Sequence, residues 1–199
     1  MADRLPLMTQ QPDPRPLYRD ALAWAQSLIE NVRPDQFGLP TPCPEFDVRT
    51  MLGHLVTVVE RSRVVGEGGS ALSVPLVTPE VPGDDWALAF GAGVQKMLSV
   101  WSDDGLLDTV VTVPWGTMPG RAALWGYLDE AVVHGWDLAV ATGQPPEGPA
   151  HAAEATLAVF KQTLPADQRG EGVPFGPPVD PAPDAGPTER LANWVGHHR

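Results

Sequence analysis

Apolar residues recur at three- and four-residue spacings in several stretches of the chain, a pattern typical of helices that bury one face. The first stretch runs from Leu17 to about Val32. The second follows Asp47, whose carboxylate suits a helix N-cap, and ends near Gly66. Three further helices are predicted: from Asp84 or Asp85 to about Trp101, from about Arg121 to Ala141, and from about Pro149 to Leu164.

The connections between these helices are long and contain little regular structure. Leu107 to Val113 is predicted as a strand because β-branched residues cluster there, and the following Pro114 to Gly120 is predicted as a turn. The same residues are also compatible with an extended crossover between helices. Pro165 to Pro187 is rich in proline and glycine and should be irregular, with a last short turn over Leu191 to Gly196.

Together these elements predict a mainly all-α protein. Four or five amphipathic helices with one long, partly extended crossover favour a helical bundle. We place this bundle in residues 1–164 as one domain. Residues 165–199 would form an irregular C-terminal segment that packs on the bundle or trails from it.

Composition and charge narrow the choice of partners. The 199 residues are 43% hydrophobic and 19% charged, enough to bury one core. A net charge of −12 repels phosphate backbones and anionic membranes, which argues against nucleic acid as a partner. No apolar run approaches the roughly 18 residues of a membrane span, and the charged start, Met1 to Gln10, is unlike a secretory signal. The single cysteine, Cys43, rules out an internal disulfide, so we expect a cytoplasmic protein.

Three ionisable residues are candidate metal ligands. Glu130 and His134 are four residues apart, so they project from one face of the fourth predicted helix beside its apolar stripe. His54 lies at the edge of the apolar stripe of the second helix. Two imidazoles and one carboxylate suit zinc or another first-row divalent ion and leave a coordination position open. The pattern alone favours the commoner alternatives, a solvated Glu–His pair and a partly buried histidine bonded to a carbonyl oxygen.

Two segments resemble the signatures of a known family. Thr41 to Leu55 and Asp129 to Ala139 are similar to the two motifs of the mycothiol-dependent maleylpyruvate isomerase N-terminal family, which belongs to the DinB-like superfamily of metal-binding four-helix bundles. The tail is similar as well, over Phe175 to Val179 and Arg190 to Ala192 and at Gly196. The resemblance thus spans most of the chain and implies a DinB-like fold.

The resemblance also implies a ligand set and a cofactor. The metal would be held by His54, Glu130 and His134, with zinc favoured over nickel, iron or manganese, and the thiol would be mycothiol. Phe46 and Gly53 depart from the tryptophan and asparagine that family members often have beside the ligands. Maleylpyruvate isomerase itself has an added C-terminal domain that contributes to its active site. The segment after the fifth helix is too short for one, so we do not expect that specific activity.

Two functions follow from these observations. The first is a metal- and thiol-dependent transferase or isomerase acting on an electrophilic substrate. In it, Asp137 would orient His134, and Arg121 and Tyr127 would anchor an anionic group. The alternative is a non-catalytic metal-binding bundle with a structural or stress-related role. A metal-free bundle in which Glu130 pairs with His134 is a third interpretation, and the sequence leaves a homodimer open.

The remaining candidates are predicted to be structural. Cys43 lies in a proline-rich loop without an adjacent base, so we interpret it as a small buried side chain. Trp115 is predicted to pack in the core or on the surface, with lining a cleft as the alternative. The basic end, from His197 to Arg199, is predicted to be flexible.

Overall fold

The computed structural model describes residues 11–169 and 175–199, and these are mainly helical, as predicted. The segment from Met1 to Gln10, in which we predict no secretory signal, lies outside the described residues. The described helices are α1 (Arg15–Glu30), α2 (Val48–Gly66), α3 (Trp86–Val100), α4 (Gly120–Thr142), α5 (Ala150–Thr163) and α6 (Pro187–Trp194). The described strands are β1 (Val110–Val113) and β2 (Gly116–Pro119).

Side-chain caps fix where two of the helices begin. An Asp47 carboxylate oxygen accepts a 2.8 Å hydrogen bond from the backbone N–H of Thr50, which starts α2 as predicted. Of the two aspartates considered for α3, Asp85 is the cap, and it accepts from the N–H of Leu88 at 2.9 Å. The caps satisfy backbone donors that have no partner within the helix.

Helix α4 lies at the centre of the fold. It packs against α1, α2, α5 and α6, and its buried residues are distributed around most of its circumference. It ends at Gly143, which takes the left-handed conformation (φ 70°) expected of a glycine C-cap. Because α4 is surrounded by other helices, its ionisable side chains must find partners inside the protein.

The crossover between α3 and α4 differs from its prediction. Strand β1 is shorter than expected, since Leu107 belongs to a preceding 3₁₀ turn, and the predicted turn over Pro114 to Gly120 is wrong for residues 116–119. Those residues form β2, which pairs antiparallel with β1 and places Val111 opposite Met118. Both of these side chains are buried against the helices, and that packing stabilises the hairpin.

The described part of the C-terminal segment contains more helix than predicted. The last element, expected as a short turn over Leu191 to Gly196, is α6, which begins earlier and buries Leu191 and Ala192 against α4 and α5. The domain boundary at residue 164 stays a prediction. In the described residues, no helix combines the length and the apolar character that crossing a membrane requires.

We predict that Asp47→Ala weakens the start of the helix that carries His54. Losing an aspartate N-cap costs about 1 kcal/mol of the free energy of unfolding. Urea denaturation followed by circular dichroism measures this change. Asp47→Ser is the control, because a serine hydroxyl accepts the same hydrogen bond and should retain most of the stability. Equal losses in the two variants would contradict a capping role.

Candidate metal centre

The structure brings the three predicted ligands together. His54 Nε2 lies 3.1 Å and His134 Nε2 lies 3.2 Å from the same carboxylate oxygen, Oε2 of Glu130. The candidate ligand atoms of the three residues all lie within 4.8 Å of one another. Ligand atoms held at about 2.0–2.1 Å in a tetrahedron around zinc are about 3.3–3.4 Å apart, so the three residues fit a metal ion with little movement.

Both imidazoles are turned so that Nε2 faces Glu130. His54 Nδ1 donates a 3.0 Å hydrogen bond to the backbone oxygen of Leu76, in the connection between α2 and α3. His134 Nδ1 donates to Asp137 Oδ2 at 2.9 Å. Because each Nδ1 donates its proton away from Glu130, each Nε2 would offer a lone pair to a metal once the proton that it shares with Glu130 is displaced. This contact places Asp137 where it could orient His134, which is the role predicted for it, and the role itself stays a prediction.

The charges of the cluster favour a cation. Burial would raise the pKa of the Glu130 carboxyl, but the imidazoles of His134 and His54 outweigh burial and hold that pKa well below its usual range. Burial would likewise raise the pKa of Asp137, and hydrogen bonds from His134 and His197 hold it below its usual value. Two ionised carboxylates inside the protein require positive charge nearby. Burial would lower the pKa of His134, but its hydrogen bonds to Asp137 and Glu130 hold that pKa well above its usual value, so a protonated imidazole supplies part of this charge. A divalent ion bound to Glu130 and the imidazoles would replace that proton.

The side chains of the three candidate ligands are mostly buried but keep some exposure to solvent. The side chain of His54 is 7% exposed, that of His134 12% and that of Glu130 22%, so Glu130 is the most exposed of the three. Phe46, in the loop before α2, lies with its ring 5.0 Å from that of His54 and 6.4 Å from that of His134. Phe46 therefore packs beside both imidazoles.

One residue at the site escaped the sequence analysis. His197 Nδ1 donates to both carboxylate oxygens of Asp137, at 3.0 Å and 2.9 Å. Arg199 also forms an ion pair with Glu189 at 2.8 Å. Because both ends of this segment are held by side-chain contacts, the prediction of a flexible basic end is wrong. No local pattern could have found this contact, because His197 and Asp137 are 60 residues apart in the chain.

A family model described as the mycothiol maleylpyruvate isomerase N-terminal domain matches residues 18–139, more than half of the chain. The chain belongs to this family. Proteins from Mycobacterium tuberculosis strains CDC 1551 and H37Rv, both named as uncharacterized, are each 29% identical to it over 178 residues. Each match covers 89% of this chain and 92% of the relative.

Two crystal structures of mycothiol-dependent maleylpyruvate isomerase have a similar fold. The chain aligns with a histidine-to-alanine mutant at a TM-score of 0.63 and 16% identity, and with a second structure at 0.59 and 15%. Each alignment covers 82% of this chain and 75% of the other. At this identity the likeness concerns the fold, which is the predicted DinB-like one.

Gly53 lets the connection after α2 approach the helix closely. The 76–78 segment lies directly against α2, and the N–H of Thr78 donates to the backbone oxygen of Gly53 at 3.1 Å. A Cβ at position 53 would run into the backbone oxygen of Thr78. Glycine therefore allows the close approach that brings the oxygen of Leu76 to His54.

Of the two residues suggested to anchor an anionic group, Arg121 lies away from the candidate metal centre and Tyr127 is buried. Arg121 is nine residues, or about 13 Å of helix, before Glu130, and it pairs with Asp108 at 2.8 Å. The structure therefore does not bring Arg121 to the metal cluster. Tyr127 is one turn before Glu130 but is buried, and it packs edge-on against Trp115 at 5.2 Å between ring centroids.

The surroundings of Trp115 and of Cys43 favour a role in packing over a role in chemistry. The ring of Trp115 fills the space over Gly126, where a Cβ would collide with it, so this tryptophan packs against α4. Burial raises the pKa of the Cys43 thiol, which lowers its reactivity at neutral pH. The surroundings of Trp115 agree with the packing interpretation, whereas Cys43 is half-buried rather than buried as predicted.

We predict that Gly53→Ala disturbs the site through the 76–78 segment. The added methyl group must push this segment off α2, which should cost about 1–3 kcal/mol of unfolding free energy and release His54 from Leu76. Urea denaturation and zinc titration measure the two effects. Gly91→Ala, in α3, is the control, because its Cβ would meet only the side chain of Gln26. Unchanged stability and zinc affinity in Gly53→Ala would refute this account.

Proposed function

We propose that this chain binds one divalent metal ion through His54, Glu130 and His134 and acts as a metal- and thiol-dependent transferase or isomerase. The observation that carries the proposal is the convergence of two Nε2 atoms on one carboxylate oxygen, at 3.1 Å and 3.2 Å. Membership of the mycothiol maleylpyruvate isomerase family supports a low-molecular-weight thiol as the second component. Mycothiol is the thiol we propose, with an electrophilic small molecule as substrate.

The donor set supports a first-row divalent ion, with zinc favoured. Imidazole nitrogen and carboxylate oxygen are common zinc ligands, and three protein ligands are typical of catalytic rather than structural sites. The ion would supply an open coordination position at which the pKa of a bound thiol falls, so that the thiolate exists at neutral pH. Nickel, iron and manganese accept the same donors.

The residues around the ligands would prepare the site for this chemistry. Asp137 and the backbone oxygen of Leu76 hold the two imidazoles in the tautomer that leaves Nε2 free. Phe46 packs beside both imidazole rings and adds apolar surface next to the proposed ligands. The partly exposed side chain of Glu130 marks the side from which a small molecule can approach.

We predict about one metal ion per chain in protein purified without an affinity tag. His54→Ala and His134→Ala should each lose most of it, because two remaining ligands hold a divalent ion poorly. Elemental analysis measures the content. His151→Ala is the matched control, since His151 is exposed and pairs with Asp20 at 2.9 Å, away from the three ligands. Wild-type protein that takes up no metal from zinc, nickel, iron or manganese solutions would overturn the proposal.

The alternative is a metal-binding bundle without catalysis. Its support is that the three ligands join α2 to α4 and that most of their surface is buried, so an ion there would cross-link two helices. This function requires a closed coordination shell. Removing the ion would then lower the melting temperature strongly, and no thiol would reach it. A metal-free bundle with paired Glu130 and His134 is excluded if metal is found.

We predict that mycothiol binds directly to the metal. Addition of mycothiol to cobalt-loaded protein should produce a thiolate-to-cobalt charge-transfer band in the near ultraviolet. S-methylated mycothiol is the control, because it keeps the polar groups but has no thiol to ionise. A spectrum that mycothiol leaves unchanged would contradict the thiol-dependent enzyme and favour the structural metal site.

A further inference from the structure

The chain around His197 is held in place by its own backbone. After α6, the N–H of Gly196 donates to the oxygen of Asn193 at 3.1 Å, and the N–H of His197 donates to the oxygen of Ala192 at 2.9 Å. This pair of bonds is the Schellman arrangement, and it requires the left-handed conformation that Gly196 adopts at φ 100°. The side-chain amide of Asn193 also donates to the oxygen of His197 at 2.9 Å. Both backbone groups of His197 are therefore fixed.

The side chain of His197 points at the carboxylate that orients a proposed ligand. Asp137 is fully buried, and its Oδ2 accepts from His134 Nδ1 and from His197 Nδ1, each at 2.9 Å. The rings of the two histidines lie 5.7 Å apart. A carboxylate held by donors from two directions has less freedom to rotate than one held from a single direction.

We propose that His197 is a positioning residue of the metal centre: it fixes Asp137, which in turn fixes the Nδ1–H of His134 and the direction of its Nε2. The proposal rests on metal binding as proposed above. It assigns the C-terminal segment a part in setting metal affinity. His197 itself does not contact the ion.

The same three residues could in principle form a metal site of their own. His134, Asp137 and His197 lie close enough together to hold an ion. However, both Nδ1 atoms are at hydrogen-bond distance from one carboxylate oxygen, and His134 Nδ1 must keep its proton if Nε2 is to act as a ligand. The geometry therefore favours hydrogen bonds over a second ion.

Zinc affinities of four proteins test the proposal: wild type, His197→Ala, His197→Asn and His198→Ala. Competition with a chromogenic chelator gives each dissociation constant. Removing an outer hydrogen-bond partner of a metal ligand weakens binding by about tenfold or more, so we expect that loss in His197→Ala. An asparagine amide can donate from nearly the position of Nδ1, so His197→Asn should recover most of the affinity. His198 is the matched control, because it is adjacent and exposed.

The measured zinc affinities and stoichiometries distinguish the positioning role from a second metal site and from failure of the proposed function. Wild-type affinity in His197→Ala, or an equal loss in His198→Ala, would overturn the positioning role. Two zinc ions per wild-type chain, reduced to one in His197→Ala, would overturn it in favour of a second site. A wild type that binds no zinc instead defeats the proposed function.

A spectroscopic measurement on the wild type is independent of any folding defect in the variants. Nitrogen–proton NMR correlations of the zinc-loaded protein report which ring nitrogen of each histidine is protonated. We expect a protonated Nδ1 in both His134 and His197, because each donates to Asp137. An unprotonated Nδ1 in His197 would contradict the proposal.

Discussion

The carboxylate of Glu130 meets imidazoles from two different helices, and most of the candidate site is organised around that contact. His134 is one turn further along α4, whereas His54 comes from α2. An ionised carboxylate in this position would be costly without compensating charge, so the two helices must meet with their imidazoles aligned. The packing of α2 on α4 and the chemistry of the cluster therefore depend on each other.

Segments outside the long helices contact the residues of the candidate metal centre and hold their side chains in place. The backbone oxygen that holds His54 belongs to the connection after α2, and the histidine that supports Asp137 follows α6. Both contacts depend on glycine: Gly53 lets the connection approach α2, and Gly196 turns the chain after α6. The helices supply the candidate ligands. The connection after α2 sets which ring nitrogen of His54 faces Glu130, whereas Asp137 of α4 does so for His134.

The sequence predicted what is local and missed what depends on distant parts of the chain. Glu130 and His134 were found because a four-residue spacing places two side chains on one helix face. Strand β2 was missed because Gly116 to Pro119 has weak strand propensity and is held by pairing with β1. His197 was missed because its partner is 60 residues away and the contact follows from a chain reversal. The role of Leu76 was invisible because a backbone oxygen has no sequence signature.

Exposure within the cluster bears on whether the site is catalytic or structural. A metal that only cross-links helices benefits from complete enclosure, since its ligands are then protected from competing water. Here Glu130 is about three times as exposed as His54, 22% against 7%, while Phe46 packs beside the imidazole of His54. The cluster is therefore not completely enclosed. Incomplete enclosure is what the proposed thiol chemistry requires, because a small ligand must reach the ion.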